Sequence, residues 1–314
     1  MGNYQMEVIV VDGSSTDNTH EIVRVYQNQY ANLVLLDNPG LIVPTGINCA
    51  YQVAKGDVII RVDGHCEIAP DYVSNCIHHL SETDAVGVGG PMQTIGETPL
   101  SETIAVAMSS VFGVGNSTFR TIQGKSMYVD SIPFPAYTRG IITKVGYYDE
   151  EMVRNQDDEY NYRIREAGGK LLLAADVQSK YYSRGSLRKL WKQYFQYGYW
   201  KVRVLQKHPR QMSLRQFIPP TFVASLILSF VFALFIPVFW IILAGIGGVY
   251  LLANLLASIL TAAKKGWQHL FFLPVVFVIL HISYGLGFLV GLVKFANRWN
   301  DKIGKVPQGT PFQA

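Results

Sequence analysis

The stretch from residue 217 to residue 262 contains no Asp, Glu, Lys or Arg across 46 consecutive positions. About 20 apolar residues suffice for a helix to cross the hydrocarbon core of a bilayer, so this stretch predicts two crossings that turn near Pro237. A further apolar run, residues 270–293, predicts a third. Because a buried helix of a soluble protein does not stay apolar over such lengths, residues 217–296 are predicted to form three transmembrane helices.

The charges divide the chain into two unlike parts. Residues 1–176 hold 22 of the 23 acidic residues and 11 of the 27 basic ones, which gives that part a net charge of −11 and the remainder +15. Ten basic residues lie between Lys180 and Arg215, just before the first apolar run. This distribution favours an acidic catalytic head beside a basic segment that attracts membrane lipids with anionic headgroups. It argues against nucleic-acid binding, since the basic half would be buried in lipid.

Residues 184–216, here called the collar, carry an amphipathic helical pattern. Its apolar face comprises Leu187, Leu190, Trp191, Tyr194, Phe195, Val202 and Leu205, and its basic residues Arg188, Lys189, Lys192 and Lys201 lie elsewhere. The pattern predicts a helix that lies in the membrane interface. The alternative is a helix that packs on the head's own core.

The basic collar also predicts the orientation of the chain. By the positive-inside rule, its charges place the head in the cytoplasm. Lys264 and Lys265, in the loop before the third apolar run, agree with that orientation. The basic residues of the tail, residues 297–314, do not agree, because three crossings would export the tail.

Residues 1–183 are long enough for one domain with a sizeable core. Strand and helix patterns alternate along them, which predicts an α/β fold with a mostly parallel sheet and helices on both faces. The predicted strands cover residues 7–11, 33–36, 58–62 and 85–89, and the predicted helices begin near residue 21 and cover 45–54, 71–80, 104–111 and 155–167.

The cysteines do not indicate a disulfide framework or a metal centre. Cys49, Cys66 and Cys76 are odd in number, which argues against a disulfide framework and for a reducing compartment. Together with His78 and His79, they match no common zinc-binding spacing.

Two aspartates follow predicted strands. Asp12 precedes a glycine turn, so it serves either turn chemistry or the recognition of nucleobase N–H and ribose hydroxyl groups. Asp63 directly follows five strand-forming residues, where a carboxylate without water needs a partner. A Mg²⁺ or Mn²⁺ ion held by one or two protein groups and by substrate phosphates would be such a partner, and His65 favours Mn²⁺. The alternative is an ordinary turn.

An acidic cluster, Asp157, Asp158 and Glu159, begins the helix predicted after Asn155. Asn155 is a favourable N-cap, and Gly168 is a favourable end for the helix. Acidic residues in a first turn are stabilised by the helix dipole alone. The same dipole keeps a carboxylate ionised near neutral pH, as a general base requires, and three acids exceed the needs of capping.

Three segments together resemble a known family. They are residues 7–17 (EVIVVDGSSTD), 54–65 (AKGDVIIRVDGH) and 156–163 (QDDEYNYR), and in order and spacing they are similar to family 2 glycosyltransferases of the GT-A fold. Residues 108–120, 130–139, 154–158 and 197–200 are similar, more narrowly, to bacterial succinoglycan-type glycosyltransferases. The resemblance covers residues 5 to about 210.

The resemblance implies an activity and its substrates. It implies that the chain is an inverting glycosyltransferase bound to the cytoplasmic (inner) membrane of a bacterium. The implied reaction moves a sugar from a nucleoside-diphosphate sugar, with UDP-sugar favoured, to a polyprenyl-diphosphate-linked saccharide in exopolysaccharide or cell-surface glycan synthesis. It assigns Asp157 as the catalytic base, with Asp158 as the close alternative.

The resemblance also assigns binding roles to other residues. It places Asp12, Asn48, Asp57 and Asp63 at the nucleotide sugar, Asp63 and His65 at the metal and diphosphate, and Tyr137 and Arg139 on the acceptor side. Asp57 has the alternative of capping the third strand. In this family a strand and a helix precede the segment that corresponds to residues 7–11, so we expect the chain to lack them.

Two other functions compete with this interpretation. The first is a non-catalytic subunit that scaffolds polysaccharide assembly, which the expected loss of the first strand favours and the intact acidic motifs oppose. The second is a processive synthase, whose Gln-x-x-Arg-Trp signature the collar only approximates at residues 196–200.

Overall fold

The computed structural model describes residues 4–115, 118–121 and 124–312. Its strands are β1 Val8–Asp12, β2 Leu33–Asp37, β3 Val58–Ile60, β4 Cys66–Ile68, β5 Ala85–Gly89, β6 Met92–Ile95, β7 Met127–Tyr128, β8 Ala136–Thr138, β9 Lys170–Leu173 and β10 Ser179–Tyr182. Its helices are α1 Thr19–Gln27, α2 Val43–Val53, α3 Tyr72–Glu82, α4 Pro99–Met108, α5 Val111–Val114, α6 Thr118–Thr121, α7 Arg139–Val145, α8 Gln156–Glu166, α9 Leu187–Lys207, α10 Ile218–Ala233, α11 Val238–Lys265 and α12 Leu273–Lys294.

The strands of the head form three sheets. A five-stranded sheet has the order β3-β8-β5-β9-β7, a three-stranded sheet has the order β4-β10-β6, and β1 pairs in parallel with β2. The predicted α/β class is confirmed, but the sheets are mixed rather than mostly parallel. One reason is β8, which the strand pattern did not predict and which lies antiparallel between β3 and β5. The pairs β4–β10 and β7–β9 are also antiparallel.

Helix α1 forms where the sequence predicted a helix, yet its apolar side chains are not buried. Ile22, Val25 and Tyr26 are at least half exposed. Helical spacing therefore predicted the helix but not the burial of its apolar face.

Glu7, just before β1, links this strand to the loop before β3. Its Oε1 accepts hydrogen bonds from the backbone N–H groups of Lys55 (2.6 Å) and Gly56 (3.0 Å).

Two clusters of buried side chains hold the head together. The larger one runs continuously from the sheets into the C-terminal helices, and includes Val88, Met108, Leu190 and Phe277. The smaller one joins α2, α7, α8 and β9 to Phe312 in the tail. Because one core extends from the sheets to the helices, the head is packed directly against the apolar segment.

Three helices of the described part are long and apolar enough to cross a membrane. They cover Leu214–Ala233, Val238–Lys265 and Leu273–Lys294, with mean hydropathies of 1.7, 2.0 and 2.2. The predicted break at Pro237 is confirmed, since that residue is the N-cap of α11. The helices differ in environment. Over the 18-residue apolar stretch of each helix, 44% of the residues of α12 are buried inside the protein, against 6% for α11.

Helix α9 occupies most of the collar, and it packs against α12. The packing is close, because a Cβ atom at Gly198 would lie 2.0 Å from the carbonyl oxygen of Tyr284, and one at Gly287 would lie 2.0 Å from that of Phe195. Most of the apolar face of the collar therefore contacts protein, but its main partner is α12, whereas the alternative interpretation expected the head's own core. The basic and aromatic residues that remain exposed are Arg188, Lys189, Trp191 and Lys192.

Buried charges of α9 bind the head and the tail together. Arg203, which is fully buried, contacts Glu151 at 2.9 Å and Asp301 in the tail at 3.2 Å. Lys207 contacts Asp149, whose Oδ1 also accepts a 2.8 Å hydrogen bond from the backbone of Lys305. The tail consequently lies on the same side of the apolar helices as the head, contrary to the export expected from three crossings.

Candidate active site

The site begins where β3 ends. Strand β3 pairs with β8, and the following Arg61 still donates its backbone N–H to Pro135 at 3.0 Å. The chain then turns at Asp63, whose backbone carbonyl accepts the N–H of Cys66 at 3.1 Å. This turn directs Asp63 and His65 into a large cavity.

The other wall of the site is the first turn of α8. Asn155 stands at the N-cap position with a left-handed backbone (φ 60°), but its side chain makes no capping bond. Its amide instead donates to the carbonyl of Tyr197 in α9 at 2.9 Å. Asn155 therefore takes the predicted N-cap position, but the prediction that its side chain caps α8 is wrong. The resulting link to α9 fixes the helix start and directs Asp157 and Asp158 into the same cavity.

Arg61 joins the two acidic walls. Its Nε and Nη2 donate to the two oxygens of Asp63 at 2.8 and 3.1 Å, and its Nη1 donates to Oδ1 of Asp157. A bidentate arginine pair of this kind fixes orientation as well as charge. Arg61 therefore bridges the predicted metal ligand Asp63 and the predicted base Asp157, and it fixes their relative positions.

The environment of Asp157 suits a general base. Its side chain is 36% exposed because it faces the cavity. Even so, burial of the surrounding site raises the pKa of Asp157, Arg61 opposes the increase, and the charge of Asp63 adds to it. A raised pKa makes the carboxylate a stronger base, while the arginine keeps the ionised form accessible.

Asp158 and Glu159 have other partners. Asp158 accepts a hydrogen bond from Lys201 of α9 at 2.8 Å, and that lysine is almost fully buried. Glu159 points away from the cavity and binds Arg163 at 2.7 Å and His208 at 3.1 Å. Of the three acids, Asp157 and Asp158 face the site and Glu159 serves the fold.

The cavity that contains these side chains has a volume of about 1200 Å³. Its acidic end is lined by Asp63, Asp157 and Asp158. Its other end is formed by the C-terminal helices, through Phe222, Ile246, Val249, Ala253 and Leu280. Ligand sites usually measure about 300–1000 Å³, so this cavity is large enough for more than one ligand.

The donor set at the acidic end fits a divalent ion that is held mainly by substrate. Burial lowers the pKa of His65 despite the charge of Asp63, and Arg184, Arg61 and Arg154 lower it further. The imidazole is therefore neutral at pH 7, as a metal ligand must be. Within the described ranges no three His, Cys, Asp or Glu side chains cluster as ligands, so phosphates and water would complete the coordination.

Asp12 lies at the end of β1, as predicted, but it does not line the cavity. Its Oδ2 accepts hydrogen bonds from the backbone of Ser15 and from His20 Nε2, both at 2.8 Å. The hydrogen bonds from Ser15, supported by His20, lower its pKa. The geometry matches the turn interpretation, and a nucleotide contact of Asp12 stays a prediction.

Four further predicted residues, Asn48, Asp57, Tyr137 and Arg139, do not line the cavity. Asn48 is saturated by the backbone of Tyr148, at 2.8 and 2.9 Å, and by Glu150. Asp57 precedes β3 and so lies at the end of the strand opposite Asp63. Its carbonyl accepts the N–H of Arg139 at 2.7 Å, as a residue that begins a strand does.

The two predicted acceptor-side residues also serve the fold. Tyr137 is buried in β8, where its hydroxyl donates to Asn161. The guanidinium of Arg139 donates to the carbonyls of Gly56 and Ala54 at 2.9 and 2.8 Å and covers the ring of Phe312. These polar groups are bonded to protein, and an acceptor contact of either residue stays a prediction.

Sequence reasoning missed the basic residues of the cavity. Arg61 interrupts an apolar strand, and a charge in such a run needs a buried partner, so that signal was present in the sequence. Arg184 and Arg215 also line the cavity, and nothing in their local pattern marks them. They reach it only because α9 and α10 pack against the head.

Comparison with known proteins identifies the family of the chain. The sequence model of glycosyl transferase family 2 matches residues 2–144. The chain is 30% identical over 294 residues to the succinoglycan biosynthesis protein ExoA of Rhizobium meliloti, an alignment that covers 93% of this chain and 87% of the relative. The chain belongs to glycosyl transferase family 2. It is a glycosyltransferase with a GT-A catalytic domain followed by apolar helices.

Other similarities are more distant. The chain is 25% identical over 296 residues to the dolichyl N-acetyl-alpha-D-glucosaminyl phosphate 3-beta-D-2,3-diacetamido-2,3-dideoxy-beta-D-glucuronosyltransferase of Methanococcus voltae, with 92% and 88% of the two chains covered. Among solved structures, it resembles residues 1–349 of TarS from S. aureus with a TM-score of 0.46 and 16% identity, over 91% of this chain and 82% of that one.

Proposed function

We propose that the protein transfers a sugar, with inversion, from a nucleoside-diphosphate sugar to a polyprenyl-diphosphate-linked saccharide in exopolysaccharide or cell-surface glycan synthesis. The single observation that carries the proposal is the cavity, which joins carboxylates of the head to walls made by α10, α11 and α12. A lipid-linked acceptor needs such a connection, because its saccharide reacts in water while its chain stays in lipid. The name of the Methanococcus relative also includes a lipid-linked acceptor.

The reaction is a single displacement at the anomeric carbon. The acceptor hydroxyl oxygen bonds to that carbon as the bond from the carbon to the diphosphate oxygen breaks. Asp157 accepts the hydroxyl proton, and the electron pair of the broken bond leaves with the nucleoside diphosphate. Arg61 orients Asp157 and Asp63 during this step. A divalent ion bound at Asp63 and His65 would neutralise charge on the leaving diphosphate.

We infer that the protein lies at the cytoplasmic face of a bacterial inner membrane, and the basic residues of the collar support this orientation. Because head and tail lie on one side, an odd number of complete crossings does not fit. Both ends of α12 also contact head-side elements: His269, just before it, bonds Thr103 at 2.9 Å, and the carbonyl of Phe295, just after it, accepts from Gln206 at 2.7 Å. We infer that α10 and α11 cross as a hairpin while α12 lies along α9. A C-terminal tag should be labelled from the same side as the head, and labelling from the opposite side would contradict this topology.

The activity is tested with the full chain in detergent. A panel of UDP-sugars and polyprenyl-diphosphate-linked saccharides is supplied with Mn²⁺, Mg²⁺ or EDTA, and release of UDP is measured. We expect release that requires donor, acceptor and a divalent ion, and that is faster with Mn²⁺ because of His65. Asp63→Ala should abolish metal-dependent donor binding in calorimetry. A folded wild-type protein without donor binding or turnover would favour the scaffold function, and undiminished donor affinity in the variant would refute the metal site.

A further inference from the structure

We propose that the apolar end of the cavity binds the first isoprene units of the acceptor lipid, and that Arg215 binds the diphosphate that joins them to the saccharide. The proposal rests on the proposed function and adds to it a binding site on the C-terminal helices. The site lies between α10, α11 and α12, outside the residues that the family motifs mark.

The walls of this site are apolar because their polar groups are bonded elsewhere. The hydroxyl of Tyr250 bonds Nδ1 of His281 at 3.0 Å, and Nε2 of that histidine bonds the carbonyl of Phe112 in the head at 2.8 Å. The ring of Phe222 stacks on Tyr250 with centroids 4.4 Å apart. These contacts join the C-terminal helices to the head, and they leave apolar parts of the side chains facing the cavity.

The apolar end is open along α11. Val249 lines the cavity and is nevertheless 70% exposed. Gly245 also lines the cavity, and a Cβ atom built there meets no heavy atom within 4 Å. Since α11 is the least buried of the three long apolar helices, this opening faces the hydrocarbon of a bilayer. A long lipid can therefore leave its distal part in the membrane while its head enters the cavity.

Cationic residues occupy the passage between the two ends. Arg154 directly precedes Asn155 and the acidic start of α8, and Arg184 follows β10, whose Tyr181 ring lies 5.1 Å from that of His65, so both arginines belong to the end where the donor diphosphate would bind. Arg215 belongs to the other end: it lies three residues before α10, whose Phe222 forms the apolar end, and its Cδ would lie 3.3 Å from a Cβ atom at Gly115.

Arg215 is suited to an incoming anion. Its hydrogen bond is to the nearby hydroxyl of Ser213 at 3.2 Å, and within the described ranges it forms no ion pair with a carboxylate. Tyr284 of α12 lines the cavity together with Asp158 and Arg215. The cavity thus holds acids, an arginine and an apolar wall, which match the hydroxyl, the diphosphate and the isoprenoid of the acceptor.

The first experiment fills the apolar end. Geranylgeranyl diphosphate carrying a terminal benzophenone is photocrosslinked to the full chain in nanodiscs, and its half-saturation is measured. Gly245→Leu should weaken labelling by roughly tenfold, because a side chain would occupy the lipid's space. Gly248→Leu is the matched control, since Gly248 lies on the same helix, has equally open surroundings and does not line the cavity. Equal labelling of both variants, or crosslinks mapped away from α10 and α11, would overturn the proposal.

The second experiment tests the diphosphate contact. Arg215→Ala should weaken labelling by roughly tenfold, as expected for the loss of a charge-assisted contact, and Arg210→Ala should not. Arg210 lies in the same collar and outside the cavity. Phosphatidylglycerol is added as competitor, and displacement equal to that by unlabelled geranylgeranyl diphosphate would identify a general phospholipid site and overturn the proposal.

The readout separates this inference from the proposed function. Labelling needs neither donor nor turnover, so a protein that transfers no sugar still reports on the lipid site. Conversely, transfer that persists in Gly245→Leu with unchanged acceptor KM would remove the lipid site and leave the transferase function standing. The melting temperature of each variant is measured alongside, and a variant that melts as the wild type does is taken as folded.

Discussion

Two pairs of acidic residues, both within residues 149–158, have opposite surroundings in the structure. Asp149 and Glu151 contact Lys207 and Arg203 of α9, and their side chains are 1% and 6% exposed. Asp157 and Asp158 contact Arg61 and Lys201, yet their side chains are 36% and 33% exposed. Both pairs are neutralised by basic residues, so charge pairing alone does not distinguish them.

The difference lies in what surrounds each pair. The closed pair, Asp149 and Glu151, is enclosed by α9 and the tail, which supply further bonds from Arg298 and Lys305. The open pair, Asp157 and Asp158, faces the cavity. A buried ion pair whose bonds are all made by protein fixes a structure, whereas one beside a cavity retains capacity for a ligand. The comparison therefore predicts loss of stability from one pair and loss of catalysis from the other.

The largest expected effect is on the closed pair. Glu151→Ala would leave Arg203 buried with fewer partners, which costs about 3–5 kcal/mol in comparable cases. The melting temperature should fall by several degrees, and kcat per folded molecule should not change. Replacing both partners, as Glu151→Leu with Arg203→Met, should recover part of the stability. A double variant less stable than Glu151→Ala would show that the pair is more than a structural contact.

The next effect is on the open pair. Asp157→Asn should lower kcat by at least ~10², the scale for losing a general base, with donor affinity and melting temperature nearly unchanged. Asp158→Asn should cost less, because its partner Lys201 holds it in place at the cavity wall. Single-turnover kinetics with saturating donor provide the measurement. If Asp158→Asn were the more damaging change, the base would be Asp158.

The pH dependence sharpens the role of Arg61. The active form of Asp157 is the carboxylate, and its pKa is raised by burial, so kcat should fall as pH decreases through that raised pKa. Arg61 lowers this pKa, so Arg61→Gln should move the acidic limb of the kcat profile to higher pH. Arg61→Lys, which keeps the charge, should move it less. If the acidic limb of the kcat profile did not move in Arg61→Gln, Arg61 would not control the pKa of Asp157.

The smallest effect concerns Tyr137, which the resemblance placed on the acceptor side. Tyr137→Phe removes one buried hydrogen bond to Asn161, worth ~1 kcal/mol of stability. The acceptor KM should remain as in the wild type, because the side chain lies in the core rather than in the cavity. An acceptor KM raised severalfold at unchanged stability would restore the acceptor-side role.

The sequence predicted those parts of the site that depend on local structure. Asp63 and His65 follow a strand, Asp157 and Asp158 begin a helix, and such ends meet at one edge of a sheet. Roles that depend on distant partners were not predictable. Asn48 is saturated by Tyr148, a hundred residues away.

The fold shows the same division. The apolar helices and their break at Pro237 follow from composition and turn chemistry. An amphipathic pattern such as that of α9, however, indicates only that one face is covered, and α12 rather than lipid covers it. The order of the strands depended on β8, whose three residues are too few for a periodic signal.

The central claim is that the open pair performs catalysis and the closed pair maintains the fold. It is tested most directly by one paired measurement on Asp157→Asn and Asp149→Asn: kcat per folded molecule and melting temperature, determined in the same membrane preparation. We expect a crossover, in which Asp157→Asn loses activity and keeps its melting temperature while Asp149→Asn keeps activity and melts lower. Full activity in Asp157→Asn, or lost activity in Asp149→Asn at an unchanged melting temperature, would contradict the account.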